Sequence, residues 1–378
     1  MFTLRGTWMR GGTSKCWLFN AVDIDPYIDH AGGLDAILTA AFGSGDPRQL
    51  DGVGGGTSTT SKAAIVRRSA RPDIDVEYLF AQVAIDNRSV EWGSNCGNCA
   101  TAIGLFALQT GLVPIDPAVT TVRMRNENTG AVLTAEILTP GGRVPAEGDA
   151  AVPGTTALGV PVALTFGGLA ADRTSVLPTG NATDVVSLGS RAFHATMVTA
   201  GAPAALFDVA DFTSNARGDT AIDADRLDTL VALRREAALR MGLCHPGDPI
   251  THAIPKVGIV GSPVDYRTTS GRAVTADEYD IAVRMVSMMA PHPAIGLTSA
   301  VAVAAAASIV GGVVARRSAV GSPGSLRIGT AAGVIGIDTS STDDGILESV
   351  TLHRAVRRIA TADLFVAVPA PVLLSVAS

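Results

Sequence analysis

The sequence predicts an α+β protein of two pseudo-symmetric, β-rich, barrel-like domains, each built around a central apolar helix. Three observations support this. Short β-type runs separated by Gly, Asn, Asp and Pro fill the first half. Two uncharged helical segments rich in small residues, about Cys96 to Thr110 and Ala294 to Ala315, lie in corresponding parts of the two halves. The third observation is an internal repeat.

The repeat consists of pairs of similar residues at nearly constant spacing. Gly-Leu-Val at 111–113 is matched by Gly-Val-Val at 312–314, where each closes an apolar helix. Two matches in the same order favour an internal duplication. The implied division is a first domain at 1–185, completed by a C-terminal strand within 362–378, and a second domain at 186–361. The other pairs, 188 positions apart, are Met9 and Met197, Leu18 and Leu206, Phe19 and Phe207, and Asp23 and Asp211.

In the first half the elements are mainly strands. A helix is expected at Leu34 to Phe42, before the central apolar helix, and Pro140 to Pro161 is expected to be irregular because it is rich in Gly, Pro and Ala. The segment Asp172 to Asp184 contains a turn at Leu177 to Asn181. The expected strands are Thr3 to Trp8, Trp17 to Phe19, Ala63 to Val66, Val76 to Ala84 and Val119 to Arg125.

The second half adds amphipathic helices, predicted at Asp223 to Met241 and Ala276 to Met289. Ala294 to Ala315 is long enough to span a membrane, but it is rich in Ala and Gly rather than Leu, Ile and Phe, which favours a helix buried inside a domain. A strand at Leu364 to Val368 would complete the first half's sheet. Further strands are expected at Leu326 to Ile328, Val334 to Ile337 and Val350 to Leu352.

Composition limits the possible functions. The 378 residues are 47% hydrophobic and 17% charged, with a formal net charge of −6, which suits sizeable cores. No basic block is present and aromatic residues make up 4%, so nucleic acid is not an expected partner. Four cysteines in this length do not form a disulfide scaffold, and residues 1–12 lack the apolar region of a signal peptide. We therefore expect a cytoplasmic protein without a membrane partner; the oligomeric state is left open, a homodimer being one arrangement.

Cys96 is the most informative single residue. It lies in the run Gly93 to Asn98, immediately before an apolar helix, so we expect a thiol at a buried helix N-terminus. The free N–H groups and partial positive charge of such an end lower the pKa of a thiol and attract anions. The Cys96–Cys99 spacing also admits a zinc site, a redox dithiol or simple core packing, although no second cysteine pair or histidine pair accompanies it.

Two glycine-rich loops are the other conspicuous motifs. One runs from Arg10 to Lys15, and the other from Gly52 to Ser58 leads through hydroxyl residues to Lys62. Neither has the spacing of a P-loop or of a dinucleotide fingerprint, and both are compatible with ordinary tight turns. Bare N–H groups, hydroxyls and a cation are also what a carboxylate site needs. Lys62, which enters a buried strand, is either an ion-paired surface residue or a partly buried base that abstracts a proton.

No other catalytic pattern is evident. The sequence has no nucleophile elbow, no Ser-His-Asp order and no Asp-x-Asp cluster, and its six histidines are scattered. What remains is acid/base chemistry on a small anion without metal or cofactor: removal of a proton next to an activated carbon and return of one elsewhere.

These motifs resemble the PrpF family of the diaminopimelate-epimerase-like superfamily. The resemblance implies a two-domain fold with an interdomain site, isomerisation of unsaturated di- and tricarboxylic acids such as methylaconitate or oxalomesaconate, no cofactor, and Lys62 and Cys96 as the acid/base pair. The matching segments are Arg10 to Lys15, Gly54 to Thr57 with Thr60 to Lys62, Cys96 to Asn98, Leu177 to Asn181, Pro255 to Val257, Arg284 to Met288 and Arg354 to Arg358.

The remaining site candidates are groups suited to holding carboxylates and the charge of a dienolate. They are Arg10, Ser14, Gly55, Gly56, Thr57, Ser58, Ser61, Gly97, Asn98, Thr298 and Ser299. The second central helix begins without a thiol, which speaks against two-thiol racemisation. Thr330 to Gly333 and Ala290 to Pro293 depart from family segments that would contact the substrate. A polycarboxylate-binding protein without catalysis and a thiol-redox protein remain as alternatives.

Overall fold

The computed structural model describes residues 1–93, 95–169, 176–212, 220–249, 252, 254–319, 324–343 and 347–367. The helices in these ranges are α1 (Ala21–Ile24), α2 (Ile28–Ala31), α3 (Leu34–Phe42), α4 (Gly97–Gln109), α5 (Ala224–Arg240), α6 (Leu297–Ala307) and α7 (Val313–Arg317). Short 3-10 helices cover Asp25–Tyr27, Pro140–Gly142, Val209–Asp211 and Ala276–Glu278.

The strands alternate with these helices along the chain. They are β1 (Phe2–Gly11), β2 (Ser14–Asn20), β3 (Lys62–Arg68), β4 (Val76–Val83), β5 (Val90–Glu91), β6 (Val119–Asn126), β7 (Val132–Leu138), β8 (Val160–Phe166), β9 (Asp184–Leu188), β10 (Arg191–Ala200), β11 (Ala202–Asp208), β12 (Lys256–Gly261), β13 (Tyr266–Arg267), β14 (Ala273–Val274), β15 (Ile281–Ser287), β16 (Ala290–Pro291), β17 (Ser325–Thr330), β18 (Gly333–Ser341) and β19 (Leu347–Val366).

Eight strands of the first half close into a ring around α4. The order is β1, β2, β3, β4, β6, β7, β8 and β19, with β19 pairing back to β1. Every residue of α4 from Gly97 to Leu108 is buried inside this ring. An apolar helix with no polar face is stable there because strands cover it on all sides.

The second half repeats the order of strands around α6, although no pairing among the described residues closes it from β19 to β9. Its strand order is β9, β10, β11, β12, β15, β17, β18 and β19. The parallel pairs β2–β3 and β4–β6 recur as β11–β12 and β15–β17, with antiparallel pairs between them. The predicted fold class, two pseudo-symmetric β-rich units around apolar helices, is confirmed.

The duplication extends to individual residues. Trp17 pairs with Ala63 in the first unit, and Ala205 pairs with Val257 in the second. At the end of β2 the Asn20 side chain accepts a hydrogen bond from the N–H two residues later, and Asp208 does the same at the end of β11. The offset of 188 therefore reflects equivalent positions in two copies of one unit.

The uncharged second central helix lies in the core. Leu297 to Ala306 are all buried in α6, and a turn through Gly311 and Gly312 separates it from α7. Within the described ranges, no helix combines the length and apolar character needed to cross a bilayer.

One predicted helix is wrong. Ala276 to Met289 was expected to be helical, but it forms a 3-10 turn at Ala276–Glu278 and then β15. Ile281, Val283 and Val286 are β-branched, and β15 is buried between β12 and β17, so apolar positions on both faces gave the sequence a false helical period. The strands β7 to β12 were not anticipated as elements.

The other expected elements are confirmed within a few residues. Helices α3, α4 and α5 and the strands β1, β2, β3, β4 and β6 match their predicted spans, and 140–159 holds only a short 3-10 helix and one bridge. In β19, Leu364 pairs with Leu4 and Val366 with Phe2, so the tail completes the first ring as far as Val366. Val368 and 172–175 lie outside the described residues. The domain boundaries stay predictions. Strand β19 is continuous across the predicted boundary between residues 361 and 362.

Candidate active site

A cavity lies between the two units, where both central helices begin. The start of α4 contributes Asn95, Cys96, Gly97 and Asn98. The start of α6 contributes the run from Gly296 to Ser299. Each helix end has backbone N–H groups without helical partners and carries partial positive charge, so the cavity receives two such ends.

The two helix ends meet at a glycine. A Cβ atom added to Gly97 would lie 2.6 Å from Leu297 Cβ and 3.1 Å from Phe166 Cζ. The first residue of α4 must therefore lack a side chain for α6 to approach this closely. Both residues of this contact belong to the cavity lining.

Lys62 projects into the cavity from the first position of β3. It is 8% exposed, its Nζ donates a hydrogen bond to Gln82 Oε1 on β4, and it lies 5.2 Å from the centre of the Phe80 ring. Gln82 is held in turn, because its Nε2 donates to Ser61 O at 2.9 Å. The amine is thereby fixed in position beside Cys96 in the same lining.

Cys96 is the N-cap residue of α4, in extended backbone conformation. A hydrogen bond with the Cys99 side chain and burial raise the pKa of the Cys96 thiol well above its usual range, while the nearby charge of Lys62 opposes the rise. The expected lowering of this pKa by the helix end is therefore wrong. In the free protein the group is a thiol.

The second unit contributes Lys256, the first residue of β12. Lys256 is the equivalent of Lys62, since Trp17 and Ala205 are 188 positions apart and each lysine directly precedes the residue that pairs with them, Ala63 or Val257. Burial, followed by the positive charge of Lys62, lowers the pKa of Lys256 to about 8. Glu91 and Cys96 act in the opposite direction.

His292 is a neutral donor in the same lining. Burial and the charges of Lys62 and Lys256 lower the pKa of His292 to about 3. Its Nδ1 accepts a hydrogen bond from the N–H of Ala294 at 3.0 Å, so the ring proton is on Nε2.

Hydroxyl groups connect the two units across the cavity. Ser58, in the loop before β3, lies 3.1 Å from Ser287 at the end of β15, oxygen to oxygen. Ser14, Thr298 and Ser299 add further hydroxyls. The described lining includes two lysines and no Asp or Glu, which gives an environment suited to an anion.

Several predicted site residues are brought together here, and others are not. Lys62, Cys96, Ser14, Ser58, Gly97, Asn98, Thr298 and Ser299 line the cavity. Arg10, Gly55, Gly56, Thr57 and Ser61 do not belong to its described lining. Each of these has other contacts.

Arg10 is buried in β1, and its guanidinium donates to the carbonyls of Gly12, Ala157 and Leu158. Ser61 is fully buried and hydrogen-bonds to Val83 O and Gln49 Nε2.

The second glycine loop is organised by Gln49 rather than by an anion. The N–H of Gly56 donates to Gln49 Oε1 at 2.8 Å, and Gly55 is exposed. Thr57 is exposed, and its hydroxyl hydrogen-bonds to Thr60 within the same turn.

The first glycine loop has a packing role. A Cβ atom on Gly11 would lie 2.0 Å from the carbonyl oxygen of Asn98, and one on Gly12 would lie 2.1 Å from Asn98 Oδ1. Thr13 Oγ1 accepts from Asn98 Nδ2 at 3.2 Å. The loop therefore supports the first turn of α4 from behind.

Residue-by-residue sequence reasoning missed Lys256, His292 and Ser287 as site residues. For Lys256 a signal existed: a lysine that opens a buried strand, at the position where the duplication repeats Lys62. His292 lies in the divergent segment Ala290 to Pro293, which thus does reach the cavity. Thr330, in the other divergent segment, is buried, and its hydroxyl donates to Gly333 O.

In the described part of the chain, no group of three or more His, Cys, Asp or Glu side chains is arranged to hold a metal ion. Cys16, Cys96, Cys99 and Cys244 are all unpaired.

Comparison with known proteins adds the family. A sequence model of the PrpF protein family matches residues 1–367. This chain belongs to the PrpF family. Over 357 residues it is 36% identical to a 2-methyl-aconitate isomerase of Shewanella oneidensis, covering 89% of each chain. It is also 36% identical over 367 residues to a (4E)-oxalomesaconate Delta-isomerase of Novosphingobium sp., covering 95% of this chain and 96% of that one.

A solved structure agrees with the fold. The crystal structure of a methylitaconate-delta-isomerase superposes with a TM-score of 0.78 at 30% identity, covering 97% of this chain and 96% of that one. The relatives named here are isomerases, as the resemblance implied.

Proposed function

We propose that this protein is an isomerase that shifts a double bond in a small unsaturated di- or tricarboxylic acid, of the kind represented by methylaconitate or oxalomesaconate, without a cofactor. The observation that carries the proposal is the cavity itself. An amine and a thiol from the first unit face a lysine and a neutral histidine from the second, with no carboxylate in the described lining. Such a cavity favours substrates with several negative charges.

Substrate carboxylates bind between the two units. Lys256, His292 and the start of α6 contact one carboxylate, while Ser14, Ser58 and the start of α4 contact another. Lys256 carries a positive charge below pH 8 or so, in keeping with its pKa of about 8. His292 donates a hydrogen bond through Nε2 without adding charge.

The reaction is a 1,3-proton transfer. The base is the member of the pair that lacks its proton when the substrate is bound, either a neutral Lys62 amine beside the Cys96 thiol or a Cys96 thiolate beside the Lys62 ammonium. It accepts the allylic proton, and the electron pair of the broken C–H bond spreads over three carbons and onto a carboxylate. The N–H groups at Gly97 and Asn98 stabilise that charge as it develops. The other group of the pair returns a proton at the far carbon, so atoms and electrons balance without an oxidant or reductant. The protonation states belong to the coupled pair.

Solvent-deuterium incorporation tests the proposal. A panel of unsaturated di- and tricarboxylates is incubated with the protein in D₂O and followed by NMR. Label entering at two positions of one acid, with migration of its double bond, is the expected result. Binding without exchange would instead support a binding protein, and absence of both would reject the proposed function.

Variants assign the two groups. Lys62→Met and Cys96→Ser should each lower turnover by about 10²–10⁴-fold, and each should abolish exchange at a different carbon. Matched controls are Lys15→Met, whose amine lies over the Trp8 ring outside the cavity, and Cys244→Ser, which accepts from Arg235. Full turnover in both Lys62→Met and Cys96→Ser would contradict the assignment. Intact turnover in Cys99→Ser would reject the thiol-redox alternative.

The unpaired state of the four cysteines supports a reducing compartment such as the cytoplasm.

A further inference from the structure

A buried arginine outside the cavity contacts the hairpin that forms one of the cavity's walls. Arg234, on α5, is 2% exposed, and its Nη1 donates to the carbonyl oxygen of Met288 at 2.7 Å. Its Nε is buried without a hydrogen-bond partner, and Glu91, the carboxylate whose charge acts on it, forms no ion pair with it among the described residues. A buried cation in this situation destabilises the fold unless its contacts compensate, so the bond to Met288 needs a physical explanation.

Met288 has a backbone conformation that non-glycine residues rarely adopt. Its φ is +55°, and among the described non-glycine residues only Gln49 shares a positive φ. Ser287 pairs with Ala290, so Met288 and Met289 form a two-residue hairpin loop between β15 and β16. Glycine is preferred where such a loop needs a positive φ, because a Cβ atom strains the backbone there.

Both arms of this hairpin carry cavity groups. Ser287 at the end of β15 meets Ser58 from the opposite unit at 3.1 Å. After β16, the N–H of His292 donates to Met285 O at 2.8 Å, which ties the His292 backbone to the same arm. A change in the loop would therefore shift a hydroxyl and a hydrogen-bond donor at once.

We propose that Arg234 is a positioning residue: its hydrogen bond to the Met288 carbonyl holds the strained 288–289 loop in the conformation that presents Ser287 and His292 to the substrate. The proposal rests on the proposed function for its catalytic consequence. Its structural part does not depend on that function.

A double-mutant cycle with Met288→Gly tests the proposal, since glycine adopts a positive φ without strain. Arg234→Met should lower kcat/KM by about 10²-fold, the scale of an ångström-sized displacement of binding groups. In a Met288→Gly background the same substitution should cost about threefold or less. Arg234→Lys, which keeps the charge and one donor, should give an intermediate loss that Met288→Gly also suppresses.

The matched control is Arg235→Met. Arg235 is the next residue of α5 and is also well hydrogen-bonded, but to the carbonyls of His245, Pro246 and Asp248. The loss of kcat/KM caused by Arg235→Met should be the same in the unsubstituted protein and in Met288→Gly. An Arg234 effect that Met288→Gly leaves unchanged would overturn the proposal and indicate ordinary packing of α5.

Amide hydrogen exchange of residues 285–292 provides a readout independent of turnover. Exchange should be faster in Arg234→Met than in the unsubstituted protein. In the double variant it should be close to the rate measured for Met288→Gly alone. Unchanged exchange would contradict the proposal. If the unsubstituted protein turns over no acid of the panel, the proposed function fails, and these exchange rates alone decide the role of Arg234.

Discussion

At the residue scale, Cys96 illustrates two opposing effects on a thiol. A helix N-terminus stabilises a nearby anion by about 0.3–1 kcal/mol, which corresponds to less than one unit of pKa. Burial can shift a pKa by as much as about 3–5 units in the opposite direction. The hydrogen bond with Cys99, which is the largest contribution, and burial together raise the pKa of Cys96. The motif locates the thiol but not its protonation state, because that state depends on groups distant in sequence.

Lys256 gives a pH prediction. Below its pKa of about 8 the ammonium attracts a substrate carboxylate, and above it the neutral amine does not. The kcat/KM of the isomerisation should therefore fall as the pH rises through about 8. Lys256→Met should remove this step and raise KM by about tenfold or more, as expected for the loss of a charge-assisted hydrogen bond.

Other groups near Lys256 define the controls for this measurement. The charged or titratable neighbours that act on it are Lys62, Cys96, Arg234 and Glu91. Cys96 loses its proton only at higher pH, and His292, with a pKa of about 3, stays neutral throughout the range. A pH profile that keeps its step near 8 in Lys256→Met would show that another group is responsible.

At the element scale, the contact between the starts of α4 and α6 brings the two helix N-termini together in the cavity lining. Because Gly97 has no side chain, Leu297 packs into the space that a methyl group on Gly97 would need. Gly97→Ala should push the helices apart, lower kcat/KM by about 10²-fold and cost about 1–3 kcal/mol of the free energy of unfolding. Steady-state kinetics and urea unfolding measure the two effects.

Gly93→Ala is the matched control for Gly97→Ala. A Cβ atom at Gly93 would meet no atom within 4 Å, so stability and kinetics should change little. Equal effects of the two substitutions on kcat/KM and on the free energy of unfolding would show that the contact between α4 and α6 is not their cause.

At the scale of the whole molecule, β19 joins the two units. Its early part pairs with β18 and its late part closes the first ring on β1. Within it, Leu364 is 8% exposed and packs in the core with Leu4, whereas Phe365 is 76% exposed. Leu364→Asp should lower the free energy of unfolding by about 3 kcal/mol or more, since it buries an unpaired charge.

Phe365→Asp places the same side chain on the outer face of the same strand. It should change stability by about 1 kcal/mol or less. Equal destabilisation by the two substitutions, measured by thermal or urea unfolding, would contradict the closing role of the tail.

Much of the fold follows from local patterns. Apolar segments without charges predict buried helices, and the offset of 188 between Leu18 and Leu206 predicts two copies of one unit. In β11, β12 and the misassigned β15 the buried residues are nearly continuous, because both faces of the sheet are packed, so neither the period of a strand nor that of a helix is visible. Strands β7, β8 and β9 do alternate buried and less buried positions, so a strand period was present there and was missed.

The sequence by itself determined the duplication, the apolar central helices and the candidates Lys62 and Cys96, because these are properties of residue type and spacing. Only the tertiary structure decided which of the polar candidates share one cavity. It removed Arg10 and Ser61, which hydrogen-bond to backbone and side-chain partners outside the cavity lining, and it added Lys256 and His292 from the second unit. The physical reason is that burial, charge and hydrogen bonding at a site arise from contacts between segments about 200 residues apart, which no local pattern encodes.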